Sequence, residues 1–290
     1  MKVEVWTQHG PLNSEPIFKA FIKSLQDAGD EVVLNKPSNA DVAVIWSVLW
    51  QGRMRHNKNV WHRYRNANKP VIVLEVGGIK RNETWKIGIN GVNREADFHN
   101  ESADGERWNK FNIELKPWRQ TGDDIIVCGQ HTESHQWRNN QPMSKWFAQQ
   151  IKEIRNHTDR PIVIRPHPRN HVEIDTTKYK DVKIVGPKRD RNTYDDTDLA
   201  DRLKSAWAVV SHSSNPAMTA VFSGIPVYVS EASLSYDVGN QTFENINNPV
   251  MPDRQQWANR LAYTEWWTDE IEQGLPWKRI KRRLEEKYLK

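Results

Sequence analysis

The run from Ala206 to Ser230 constrains the fold of this chain most. Ala206-Trp-Ala-Val-Val210 is an apolar stretch of strand length that stops in a small polar loop, Ser211-His-Ser-Ser-Asn-Pro216. A helix-length segment follows, and Gly224 and Pro226 separate it from a second apolar run, Val227-Tyr-Val229. The order is strand, polar turn, helix, strand. It places the serines at a helix N-terminus, where unpaired backbone N–H groups and the helix dipole favour an anion.

A second turn of this kind lies upstream. Arg165-Pro-His-Pro-Arg169 follows the strand-like Pro161-Ile-Val-Ile164. Two parallel strands that end in anion-friendly turns predict one phosphate site at the carboxyl edge of a sheet. The prolines stiffen the first turn, and arginine suits bidentate contact with phosphate.

In this order and spacing, the His-Pro turn and the Ser-Ser loop resemble the donor motifs of a group of bacterial sugar-nucleotide glycosyltransferases. The group includes polysialyltransferases, capsule Kdo transferases and teichoic-acid polymerases. The resemblance spans residues 121 to 235. It implies a GT-B fold, that is, α/β with two Rossmann-like doubly wound domains and a C-terminal helix that crosses back to the first. It also implies that the two motifs hold the donor phosphate. The group often carries a Glu-Ala pair in the helix after the serines, where this chain has Thr219-Ala220. A ribose contact would then fall to another residue, for which Glu231 is the candidate.

The rest of the pattern agrees with such a fold. Val3 to Trp6, Glu31 to Leu34, Asp41 to Trp46 and Pro70 to Glu75 read as strands, and Pro16 to Ala28 and Asn57 to Asn68 as helices. Residues 79 to 120 read as irregular and Trp-rich. A second α/β series starts with Asp124-Ile-Ile-Val-Cys128, and the chain from Arg254 onward reads as helical. The expected domains are residues 1–118 with the tail 254–290, and residues 119–253.

Composition narrows the classes. No apolar run approaches the roughly 20 residues of a membrane span, and the single Cys128 leaves no internal disulfide, which fits a cytoplasmic protein. Formal net charge is +5, and the tail from Trp277 to Lys290, with seven Lys/Arg and two Glu, carries all of it. The sequence has no Walker loop, no Gly-x-Gly-x-x-Gly and no Gly-x-Ser-x-Gly elbow, and no metal-ligand spacing stands out.

The candidate donor-binding residues are Arg165, His167, Arg169, Ser211, Ser213, Ser214, Gly129, Gln130, Lys188 and Glu231. His9 and Gly10, after the first strand, and Arg94 are candidates on the acceptor side. Displacement at an anomeric carbon needs a base for the acceptor hydroxyl. Glu75, at a strand end, and Asp97, in a polar loop, are the candidates, with Glu83 a third. The resemblance implies an inverting reaction with a nucleotide-sugar co-substrate, UDP- or CMP-linked, and no catalytic metal.

For the acceptor, size, the basic tail and 14 tryptophans are similar in general character to phage DNA glycosyltransferases, which act on hydroxymethylated pyrimidines in DNA. Trp85, Trp108, Trp118, Arg94 and Arg107 are the candidate DNA surface. The alternatives are a capsule or cell-wall glycan acceptor, with the tail on an anionic lipid surface, a non-catalytic nucleic-acid binder, and a sugar-nucleotide epimerase. A monomer or weak dimer in the cytoplasm, the host's if phage-encoded, is expected.

Overall fold

The computed structural model describes residues 1–187 and 198–289. The chain divides into two units, Met1–Asn112 with the segment from Ala258 onward, and Ile113–Trp257.

The first unit opens with β1 (Lys2–Val5), α1 (Glu15–Asp27), β2 (Glu31–Leu34), β3 (Val42–Trp46), α2 (Asn57–Asn66) and β4 (Val71–Val76). β2, β1, β3 and β4 lie side by side and parallel. β3 is buried along its whole length, as expected of a parallel strand covered on both faces. In α1, Ile17, Phe18, Phe21 and Leu25 recur at helical spacing and are buried, with Pro16 in the first turn.

The stretch read as irregular is ordered. β5 (Thr84–Ile89) pairs antiparallel with β4, and α3 (Glu106–Phe111) follows. Its Trp-Lys-Ile-Gly-Ile segment contains a glycine and a lysine, which hide it from a hydropathy reading, yet every residue of it is buried. β5 runs opposite to its parallel neighbours, so the loop after it lies at the amino edge of their strands.

The second unit holds β6 (Asp124–Cys128), α4 (Met143–Arg155), β7 (Ile162–Arg165), β8 (Val182–Ile184), α5 (Leu199–Leu203), β9 (Ala206–Ser211), α6 (Asn215–Phe222) and β10 (Val227–Val229). The sheet order is β10-β9-β6-β7-β8, and all its pairings are parallel. Ile125, Val127, Phe147, Ile151, Ile164 and Val210 form its core. β6, β7 and β9 end level with one another, because Cys128 pairs with both Arg165 and Ser211.

From α7 (Gln255–Ala262) the chain returns to the first unit. There β11 (Glu265–Trp267) joins the sheet antiparallel to β5, followed by α8 (Thr268–Glu272) and α9 (Leu275–Lys287). The strand interrupts what the Trp spacing predicts as one helical region. α9 buries Trp277, Ile280 and Leu284 in the cluster that contains Phe21 and Leu25. Each such side chain contributes about 1.5–3 kcal/mol when fully buried. Among the described residues, no helix is long and apolar enough to cross a membrane.

Candidate functional site

In the second unit, the level ends of β6, β7 and β9 bring three loops to one edge: Gly129-Gln130-His131, Pro166-His167-Pro168 and His212-Ser213-Ser214. The loops are tied to one another. Ser213 Oγ donates to Gln130 Oε1 at 2.9 Å, and Asn170 Nδ2 donates to the Gln130 carbonyl at 3.2 Å. Gly129 N–H donates to the Arg165 carbonyl at 2.8 Å. A Cβ on Gly129 would sit 2.8 Å from the Phe147 ring and 3.3 Å from His167 N, so glycine permits this approach.

Two histidines meet here, His131 and His167, edge to face with ring centroids 5.4 Å apart. In each, Nδ1 accepts a backbone N–H at 3.1 Å, from Glu133 and from Arg169. A neutral imidazole that accepts at Nδ1 carries its proton on Nε2. Both rings are thereby fixed as Nε2–H donors. Burial, the largest influence, pushes the His131 pKa below its usual value, helped by Arg169 and opposed by Glu133.

The serine loop leads into α6 as the sequence predicts. Ser214 is the N-cap residue, its N–H donates to Ser211 Oγ at 3.0 Å, and the two hydroxyls are 2.7 Å apart. His212 turns away, with its ring edge-on to Trp137 and Nε2 3.2 Å from the Gln136 carbonyl. Glu231 is exposed just past β10, next to Ser230, whose Oγ donates to the His212 carbonyl at 2.9 Å. Arg169 is exposed. The His-Pro loop also lines an open groove of about 610 Å³ that reaches Val172, Ile184 and Gly186. Lys188 lies outside the described residues.

Arg165 differs from the expectation. Its guanidinium is buried and donates to both oxygens of Asp198, at 3.0 and 2.9 Å, just before α5. The carboxylate that occupies it lies 33 residues away in sequence, which no local motif reveals.

In the first unit, the carboxyl edge of the parallel strands carries His9, Gly10 and Glu75. His9 stacks on Trp6 with centroids 5.0 Å apart and lies 5.4 Å from the His56 ring. Gly10 packs on the start of α1, where a Cβ would fall 2.2 Å from Ser14 Oγ. Glu75 sits half-buried near the end of β4, level with Lys86, and accepts the N–H of Val76 at 2.8 Å. Glu83 is exposed, 3.9 Å from Lys80.

Asp97 and Arg94 fall at the other edge. Asp97 is bridged to Ile89, the last residue of the antiparallel β5, so their loop lies at the amino end of the parallel strands. Asp97 accepts from Arg283 Nε at 2.8 Å, Lys287 Nζ at 3.0 Å, Tyr288 Oη at 3.0 Å and the His99 N–H at 3.0 Å. Burial raises its pKa, but Arg283, Lys287 and the other donors outweigh that and leave it below the usual carboxylate value. A carboxylate held this way docks α9 and is a weak proton acceptor.

Of the residues expected to face DNA, three are buried, Trp118 is partly buried and Arg94 is exposed. Trp85 and Trp108 are buried. Arg107 is buried, pairs with Glu270 at 2.9 and 2.8 Å, and stacks 3.8 Å over Trp266. Trp118 donates to the Pro252 carbonyl at 2.8 Å, and Arg254 lies 4.0 Å over its ring. In the basic tail, Lys281 pairs with Asp30, Arg282 with Glu286, and Arg283 and Lys287 with Asp97. Among the described residues, no three His, Cys, Asp or Glu side chains converge to hold a metal ion.

No family model and no curated protein sequence matches this chain. Solved structures match its fold. The beta Kdo 2,4 transferase of Thermosulfurimonas dismutans KpsC aligns with 95% of this chain and 98% of its own at 11% identity and a TM-score of 0.52. The beta Kdo 2,7 transferase of the same KpsC aligns with 95% and 99% at 14% identity and a TM-score of 0.53. At such identity the likeness is one of fold, and the fold is the α/β pair of Rossmann-like units of GT-B proteins.

Proposed function

We propose that this chain is a nucleotide-sugar-dependent glycosyltransferase. The carrying observation is the loop edge of the second unit, where His131 and His167 are both fixed as Nε2–H donors beside the Ser211–Ser214 turn that opens α6. Ring N–H groups, hydroxyls and a helix N-terminus suit a phosphate. The KpsC transferases with this fold support the same reading.

In this reading His167, Ser213, Ser214, Gln130 and the Gly129 backbone bind the donor diphosphate or monophosphate. Arg169 and Lys188 add positive charge, and Glu231 holds the ribose. Arg165 acts indirectly, by bracing the His-Pro loop against Asp198. Donors preorganised at the phosphate stabilise the departing nucleotide, which serves the role a metal would otherwise fill. His9, Gly10 and Glu75 stay the acceptor-side candidates, and the anomeric carbon is inverted.

A glycan hydroxyl is the favoured acceptor. A hydroxymethylated DNA base is less favoured, because Trp85, Trp108 and Arg107 are buried and Lys281, Arg283 and Lys287 of the tail are paired with Asp30 and Asp97. A thermal-shift panel of UDP, CMP, CDP and GDP, each with and without sugar, tests the reading. One nucleotide should raise the melting temperature of the native protein and not of His167→Ala. A panel without any shift would remove the donor site.

A further inference from the structure

A second concentration of positive charge, apart from the tail in sequence, lies in the first unit. Residues 42–74 hold Arg53, Arg55, Lys58, Arg63, Arg65 and Lys69 and no Asp or Glu, so this segment alone is +6, against +5 for the whole chain. It contains the 3-10 segment Gly52–His56 and α2. α2 turns Val60, Trp61 and Tyr64 into the core with Ile45, Val71 and Val73. Its exposed charged and polar side chains are Lys58, Asn59, His62, Arg63 and Asn66, and Arg53, Arg55 and His56 are exposed just before it.

These cations do not serve the helix. Positive charge at a helix N-terminus opposes the dipole, yet the first turn of α2 has Lys58 and no acidic residue, and Arg53 and Arg55 precede it. Nor are they neutralised as the tail is. Arg63 pairs with Glu4, but among the described residues no carboxylate pairs with Arg53, Arg55, Lys58 or Arg65. Arg55 Nε contacts His56 Nε2 at 3.2 Å, and Arg65 donates to the Lys69 carbonyl at 3.3 Å. We propose that the exposed face of α2, with the 3-10 segment before it, binds double-stranded DNA.

Charge complementarity calls for a polyanion, and the composition of the face selects among polyanions. α2 exposes no apolar side chain that could enter a bilayer interface. Its aromatic residues, Trp61 and Tyr64, are buried and offer no platform on which the bases of a single strand could stack. What the face presents is arginine, lysine, asparagine and histidine on a convex helix about 15 Å long. The major groove of B-DNA, about 12 Å wide, admits such a helix. There Lys and Arg hold phosphates, and Arg and Asn are suited to base edges. Binding here is separate from the choice of acceptor hydroxyl and does not depend on the glycosyl-transfer reading.

Fluorescence anisotropy of a labelled DNA duplex, titrated with the full chain at several salt concentrations, tests this surface. Affinity should fall with salt, at a log–log slope of about 0.9 per phosphate contacted. Combined replacement Arg53→Gln, Arg55→Gln and Lys58→Gln should weaken duplex binding about tenfold or more and lower the slope by about one for each phosphate contact removed. Lys58→Gln alone should lower it by about one. These side chains are exposed, so the melting temperature and any donor-induced thermal shift should stay native, which separates this surface from the donor site. Lys278→Gln with Arg282→Gln, on the exposed side of the tail, should bind duplex like the native protein. Equal duplex binding by the triple variant and the native protein overturns the proposal. So does tighter binding of a single strand of the same length, or capture by phosphatidylglycerol vesicles without any binding of duplex.

Discussion

Arg165 donates to both carboxylate oxygens of Asp198 from a side chain that is only 4% exposed. The pair ties the end of β7 to the start of α5, so the arginine next to the His-Pro turn is a brace. Asp198→Ala removes both of these bonds from a buried guanidinium, each hydrogen bond to a charged group being worth about 1.5–3 kcal/mol. The expected result is a large fall in the urea midpoint. Arg165→Ala should act mainly through stability, unlike His167→Ala, which should melt like the native protein and bind donor poorly. A native-like urea midpoint for Asp198→Ala would show that the pair does not brace the loop.

Arg107 anchors the returning segment. It donates to the Ala262 carbonyl at 2.7 Å, pairs with Glu270 and stacks on Trp266, which brings β11 and α8 onto the first sheet. Arg107→Ala should cost about 3–5 kcal/mol. Arg107→Lys should recover little, since an ammonium cannot make the planar forked contact and the stack together. Chemical denaturation of both variants checks this, and full recovery by lysine would argue against it.

Acid should loosen α9. The folded pKa of Asp97 is lowered, so its contribution to stability is fully present above the unfolded value of about 3.9. It is lost as pH falls from there through the folded value. Melting temperature measured between pH 7 and pH 3 should hold in the upper range and drop at the acid end. Asp97→Asn should begin less stable and show a shallower acid drop, and an unchanged drop would assign the effect elsewhere.

The sequence shows the second unit more fully than the first. Alternating apolar runs and polar turns predict β6, β7, β9 and β10, and pairing them in parallel brings the His-Pro and Ser-Ser loops to one edge. The same reading misses β5, whose Lys86 and Gly88 break the apolar pattern, and β11, whose tryptophans fit helical spacing equally well. Missing one antiparallel strand moves Asp97 and Arg94 to the wrong end of the sheet. The partners that decide individual roles, Asp198 for Arg165 and Arg283 for Asp97, are 33 and 186 residues away.

The central claim is a donor phosphate site at His167. The most direct measurement is the binding constant of the stabilising nucleotide sugar for native protein and for His167→Ala, by calorimetry. Loss of a hydrogen bond to a charged group costs about 1.5–3 kcal/mol, so the variant should bind roughly tenfold to a hundredfold more weakly at an unchanged melting temperature. Equal binding by the two proteins would contradict the account.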